Sequence, residues 1–179
     1  MTSAAQYLVE IERQLGDSWL PRIYRERILK IRTRSYQFPL LAKSASPEIH
    51  HTLLGIELKV GRRRMLCPDL ATARYLAVFA RASCKAVAIP YDITMISRLA
   101  DELESSWYRM LLLVDGVARD HSSAFRARVR TLLIGKVRDE IAAAGAGTRI
   151  PEFTQSTRQT DKPQKGARGT NNSAGEVLS

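Results

Sequence analysis

Three successive arginines, Arg62, Arg63 and Arg64, follow Gly61 at a predicted hairpin turn. A tip of that kind carries its guanidinium groups into solvent, and the planar guanidinium fork is the side chain best matched to phosphate. The chemistry on offer there is anion binding. Just upstream, Glu57 and Lys59 stand two residues apart on a predicted strand. Side chains at i and i+2 of a strand share a face, so this carboxylate and ammonium lie together on its polar side.

The arginine turn belongs to a larger block. Residues 20 to 90 hold 14 Lys/Arg against 4 Asp/Glu, a local charge of +10 that equals the net charge of the whole chain. Arginine outnumbers lysine by 21 to 7. Codon bias in a GC-rich genome accounts for that ratio but not for the clustering. A concentrated basic surface is the electrostatic footprint of an anionic partner, most often nucleic acid. The residues assigned to it are Arg22, Arg25, Lys30, Arg32, Arg34, Arg62, Arg63 and Arg64, with Lys59, Arg74 and Arg81 extending the patch if the hairpin packs beside the second helix. Phosphate contacts of this type give affinity without reading sequence, so RNA and DNA stay equal as partners. Two other functions fit the same charge. An acidic protein partner would make the molecule an assembly or adaptor protein, and an exposed charged turn can simply block edge-to-edge aggregation.

Pro47-Glu48 precedes the Glu57/Lys59 pair, and Glu48, Glu57 and Lys59 together resemble the metal-binding motif of the PD-(D/E)xK nuclease fold. The following helix and strand suit that fold's order, over about fifty residues. The resemblance implies a Mg²⁺-dependent nuclease in which Glu48 and Glu57 hold the ion and Lys59 stabilises the attacking water or the developing charge. The chain departs from the pattern in having Glu as the first acid and a second hairpin strand before the helix. An ordinary exposed ion pair is the favoured reading, and the expectation is that the metal geometry fails. Binding without catalysis, metal or cofactor is therefore the leading expectation.

Other chemistry finds less support. Adjacent His50 and His51 face opposite sides of an extended chain and do not share a metal. Cys67 and Cys84 with a histidine lack a fourth zinc ligand, and two cysteines make no disulfide scaffold. No Gly-x-Ser-x-Gly elbow or phosphate loop occurs. Tyr24, Tyr36, Phe38 and Tyr75 interleave with the basic block, where core packing is the favoured role and Tyr36 is the best placed to stack on a base. No apolar run reaches the roughly 18 residues of a membrane span, and Met1 to Glu10 has no signal-peptide pattern. The expectation is a cytoplasmic protein with reduced thiols and no membrane partner.

The elements that must position these residues read as α+β. Ser3 caps a first helix that Gly16 ends; Asp17 or Ser18 caps a second, with Pro21 in its first turn. Phe38 to Pro47 is a loop. Leu54, Ile56, Leu58 and Val60 alternate as a half-buried strand, returning after the turn through Arg64 to Cys67. Asp69 caps the next helix, and Ala86 to Ile89 is a short strand of the same sheet. Asp92 or Thr94 caps a long helix with the seam Ile96, Leu99, Leu103, Trp107, Met110 and Val114, and Ser122 caps a last helix ended by Gly145. These two form an antiparallel helical hairpin expected to pack across the sheet. One domain over residues 3–147 is expected, followed by a disordered tail over residues 148–179, where Thr, Gln, Gly, Asn and Ser dominate.

Overall fold

The computed structural model describes residues 3–39 and 46–147. The fold is α+β, with two small antiparallel sheets among its helices. Helix α1 (Ala4–Leu15) begins with a capping box: the Ser3 hydroxyl accepts the Gln6 N–H while the Gln6 side chain accepts the Ser3 N–H. Gly16 ends it at φ 51°, a backbone angle that a side chain would strain. Helix α2 (Leu20–Ile23) has Pro21 in its first turn and runs into one π-helical turn, Tyr24–Ile28.

Strands β1 (Thr33–Gln37), β2 (Pro47–Thr52), β3 (Gly55–Val60) and β4 (Arg63–Cys67) follow, then α3 (Leu70–Arg81), β5 (Ala86–Pro90), α4 (Ile93–Val117) and α5 (Ser123–Ala144). The three later helices start at the predicted caps. Asp69 accepts the Thr72 N–H, Asp92 the Thr94 N–H and Ser122 the Phe125 N–H.

Helix α3 lies at the centre. It buries Thr72, Ala73 and every residue from Tyr75 to Ala80, an apolar surface that runs most of the way round and needs cover on more than one side. The sheet β2-β3-β4 covers one side with Leu58, Val60 and Cys67, and α4 covers another. The seam from Ile96 to Val114 is buried throughout, as its spacing predicts. Helix α5 adds Val129, Leu133, Val137 and Ile141 against α1 and α4, so one hydrophobic cluster runs from Ile11 to Ile141.

Two expectations about the sheet are corrected. Residues 86–90 do not join the hairpin. They pair with β1, in the register Arg34–Ile89 and Tyr36–Val87, as a separate ribbon. The third strand of the hairpin sheet is β2, with Glu48 opposite Lys59 and His50 opposite Glu57. The hairpin sheet is covered by α3, and the α4–α5 pair packs on α1, α2, α3 and β5 instead of across that sheet. The reason is the α3 composition: a helix apolar on most sides must sit between layers, whereas the narrow α4 seam can cover only one.

Leu54 also leaves its predicted strand position. Residues Thr52–Gly55 make the tight turn between β2 and β3, where the Thr52 hydroxyl accepts the Leu54 N–H and donates to the Gly55 carbonyl. Gly55 adopts φ 126°, a region open to glycine. Leu53 and Leu54 are left exposed, at 107% and 81%. The predicted tail falls outside the described residues, as does the middle of the predicted loop, residues 40–45. Among the described residues no helix is long and apolar enough to cross a membrane.

Candidate nucleic-acid interface

The eight basic residues divide by their partners. Arg22 lies 3.2 Å from Asp17 and 3.1 Å from Glu26, and Arg25 lies 3.3 Å from Glu140 on α5. Their neighbour Arg27 pairs with Glu102 on α4. Arg64 approaches Glu57 at 3.8 Å, a loose contact for a side chain that remains mostly in solvent. Lys30, Arg32, Arg34, Arg62 and Arg63 are exposed and, among the described residues, have no carboxylate within 4.0 Å. Of the three residues expected to extend the patch, Arg74 is neutralised by a two-pronged bond to Glu104 and a third contact to Asp101, which together raise its pKa. Lys59 lies 3.5 Å from Glu48, and Arg81 has one guanidinium nitrogen buried without a partner among the described residues.

The hairpin does not join the basic residues by packing on the second helix. It sits on α3, and α2 packs on α4 and α5. The link is the Tyr36 hydroxyl, which donates to the Met65 sulfur at 2.9 Å. Tyr36 stands two residues from Arg34 and Met65 one residue from Arg64, so this contact ties the β1 cations to the arginine turn. Burial raises the Tyr36 pKa, and its ring packs edge-on to Phe38 at 5.1 Å. Tyr24, Tyr75 and Phe38 are core residues. None of these four rings lies open for stacking, in keeping with their expected packing role.

An aromatic that sequence reasoning passed over is Tyr91. It follows the end of the basic block by one residue, and its neighbours Pro90 and Asp92 gave no signal. The β1–β5 register carries it next to Arg32: the Tyr91 N–H donates to the Arg32 carbonyl at 3.2 Å, and the Arg32 guanidinium lies 4.8 Å from the ring centre. Only the pairing of two strands far apart in sequence could have found it.

The acidic set sits on the outer face of the hairpin sheet. Cross-strand partners point to the same side, so Glu48, His50, Glu57, Lys59, Arg64 and Leu66 share that face. The carboxylates are therefore on one side of the sheet, Glu57 and Lys59 share its polar face as their spacing predicts, and Lys59 is beside Glu48. Each acid is nevertheless occupied. His50 Nε2 lies 3.0 Å from Glu48, and that bond, with the Lys59 charge behind it, lowers the Glu48 pKa. Glu57 faces Arg64. Among the described residues no group of three or more His, Cys, Asp or Glu side chains is placed to hold a metal.

Burial disfavours the thiolate form of both cysteines. Cys67 and Cys84 are free and buried; burial pushes Cys84 up to about 12, with Arg138 opposing, and raises Cys67 as well. Compared with protein-family models, curated proteins and solved structures, the chain matches none.

Proposed function

We propose that this protein binds nucleic acid through an arginine-rich surface and carries out no chemistry on it. The observation behind the reading is that Lys30, Arg32, Arg34, Arg62 and Arg63 have no carboxylate partner among the described residues, whereas Arg22, Arg25, Arg27 and Arg74 of the same basic stretch are paired. Unpaired surface cations cost no ion-pair exchange when they meet phosphate, and each contact releases counterions. The acids on α4, at Asp101, Glu102 and Glu104, are committed to Arg74 and Arg27, and they leave that side of the molecule unsuited to a polyanion. A cytoplasmic location, with both thiols reduced, fits the reading.

The test is binding of a labelled oligonucleotide across a salt series. Replacing Arg62, Arg63 and Arg64 together with alanine should weaken binding to every sequence, by about tenfold or more near 0.1 M salt, and reduce the salt slope by up to ~3. Unchanged affinity would reduce the arginine turn to a surface feature. A pull-down repeated after nuclease treatment addresses the adaptor alternative, since an acidic protein partner survives digestion and a nucleic-acid bridge does not.

A second reading, a Mg²⁺-dependent nuclease, is favoured by one observation: Glu48, Glu57 and Lys59 share a sheet face. Its cost is that Mg²⁺ must displace His50 and Arg64 from the two carboxylates. Glu57→Gln should leave binding within about twofold, since the basic surface supplies the affinity. On the leading reading the wild type produces no Mg²⁺-dependent cleavage for this variant to remove. Cleavage that appears with Mg²⁺ and disappears in Glu57→Gln would promote the nuclease.

A further inference from the structure

We infer that the end of the β1–β5 ribbon is a stacking site for an unpaired nucleobase, so that the preferred ligand is single-stranded nucleic acid. This deepens the basic-surface reading and rests on it. The register that sets Arg34 opposite Ile89 continues to Arg32 opposite Tyr91, so Arg32, Arg34, Ile89 and Tyr91 share one face of the ribbon. Ile89 lies in the core, and the face emerges into solvent at Tyr91, which is 40% exposed. Beyond it Ile93 is 62% exposed.

The site combines what an unpaired nucleotide requires. The Arg32 guanidinium, 4.8 Å from the Tyr91 ring centre, steadies the ring and adds a planar cation beside it. Ile93, two residues on at the start of α4, adds an exposed apolar side chain. Lys30 and Arg34, both exposed and without a carboxylate partner among the described residues, stand two residues to either side of Arg32 and supply cations for phosphates. The carboxylate closest in sequence, Asp92, is turned to the helix start, where it accepts both the N–H and the hydroxyl of Thr94 at 2.9 and 2.7 Å. A base inside a duplex has its faces covered by neighbouring bases, so a ring such as Tyr91 adds affinity only for an unpaired strand. A peptide of acidic residues would use the cations but has no aromatic ring to stack on Tyr91.

The experiment measures binding of the full chain to a fluorescein-labelled oligothymidylate and to a blunt duplex of the same length, at one salt concentration. Tyr91→Ala should weaken single-strand binding by roughly 5- to 100-fold and leave duplex binding and the salt slope unchanged. Tyr91→Trp should retain single-strand affinity, and its indole fluorescence should be quenched when oligothymidylate is added. That variant reads the site directly if the alanine variant folds poorly. Equal losses on both ligands, no loss on either, or an unquenched indole overturns the stacking site while the basic-surface reading stands. Displacement of the strand by polyglutamate as readily as by unlabelled strand overturns it in favour of an acidic polymer. A wild type that binds neither oligonucleotide overturns both readings together.

Discussion

On the helical side of the molecule, Arg22 sits between Asp17 and Glu26, Arg25 reaches Glu140, Arg27 reaches Glu102 and Arg74 is shared by Asp101 and Glu104. On the strand side, Lys30, Arg32, Arg34, Arg62 and Arg63 meet no carboxylate within 4.0 Å among the described residues. Both groups come from the same basic stretch and are indistinguishable there by residue type. Arg22 finds its partners within its own segment; for Arg25, Arg27 and Arg74 the difference lies in what their elements pack against. Helix α2 lies on α4 and α5, which bring Glu102 and Glu140, whereas the ribbon end and the arginine turn bring no carboxylate within 4.0 Å of these five cations among the described residues. Local charge density therefore overstates the unpaired basic surface.

Substituting the two groups separately is the sharpest way to break this comparison. Arg62→Ala with Arg63→Ala should lower affinity severalfold and the salt slope by about two, and Arg22→Ala with Arg25→Ala should leave both nearly unchanged. Equal losses measured by anisotropy titration would mean that ion pairing does not withhold the helical arginines from phosphate.

Glu140 sharpens the comparison from the acidic partner's side. Its carboxylate accepts the buried Trp19 indole N–H at 3.0 Å and lies 3.3 Å from Arg25 and 3.8 Å from Lys136. Glu140→Ala strands the indole donor and should cost about 1–3 kcal/mol, several degrees in melting temperature for a chain of this size. It should also free Arg25 and raise oligonucleotide affinity slightly. A melting curve that does not move would show the helical-side pairing to be incidental.

The smallest effect concerns the tie between the two sides. The Tyr24 hydroxyl donates to the Gly145 carbonyl at 2.5 Å and accepts the Ala88 N–H at 2.9 Å, joining the end of α5 to β5. Burial raises its pKa from 10.0 to about 12, with the Ala88 bond opposing. The folded state thus holds the proton more tightly than the unfolded chain. The stability this contributes is complete below pH 10 and is lost as pH rises towards 12, by about 1 kcal/mol near pH 11. Denaturant midpoints followed from pH 9 to 12 should fall, and Tyr24→Phe should fall less steeply from a lower start. Parallel slopes would assign the alkaline loss to other groups.

Much of the helical framework was legible from local rules. Ser3, Asp69, Asp92 and Ser122 cap where short polar side chains precede an apolar period, and the α4 seam is buried where 3-4 spacing places it. Those features depend on residues within a turn or two of each other. Strand β1 was not legible because Thr33–Gln37 contains one large apolar residue, Tyr36, and becomes a strand only by pairing with Ala86–Pro90. Leu54 matched the period of β3 but lost to the Thr52–Gly55 turn, whose hydrogen bonds outweigh alternation at a strand end.

Helix α2 starts after Trp19 without the side-chain cap expected from Asp17 or Ser18. The sequence by itself determined the α+β class, the starts of α1, α3, α4 and α5, the buried seam and the +10 charge concentrated between residues 20 and 90. All of these follow from residue type and short-range periodicity. Only the tertiary structure decided which cations are paired, that Glu48 and Lys59 meet across strands, and that Tyr91 lies against Arg32. Apart from the pairs of Arg22 with Asp17 and Glu26 and of Arg64 with Glu57, these contacts of the basic block join segments separated by more than ten residues. Such contacts are set by how α3, buried between its two layers, sorts the strands and helices around it, and residue type carries no record of that arrangement.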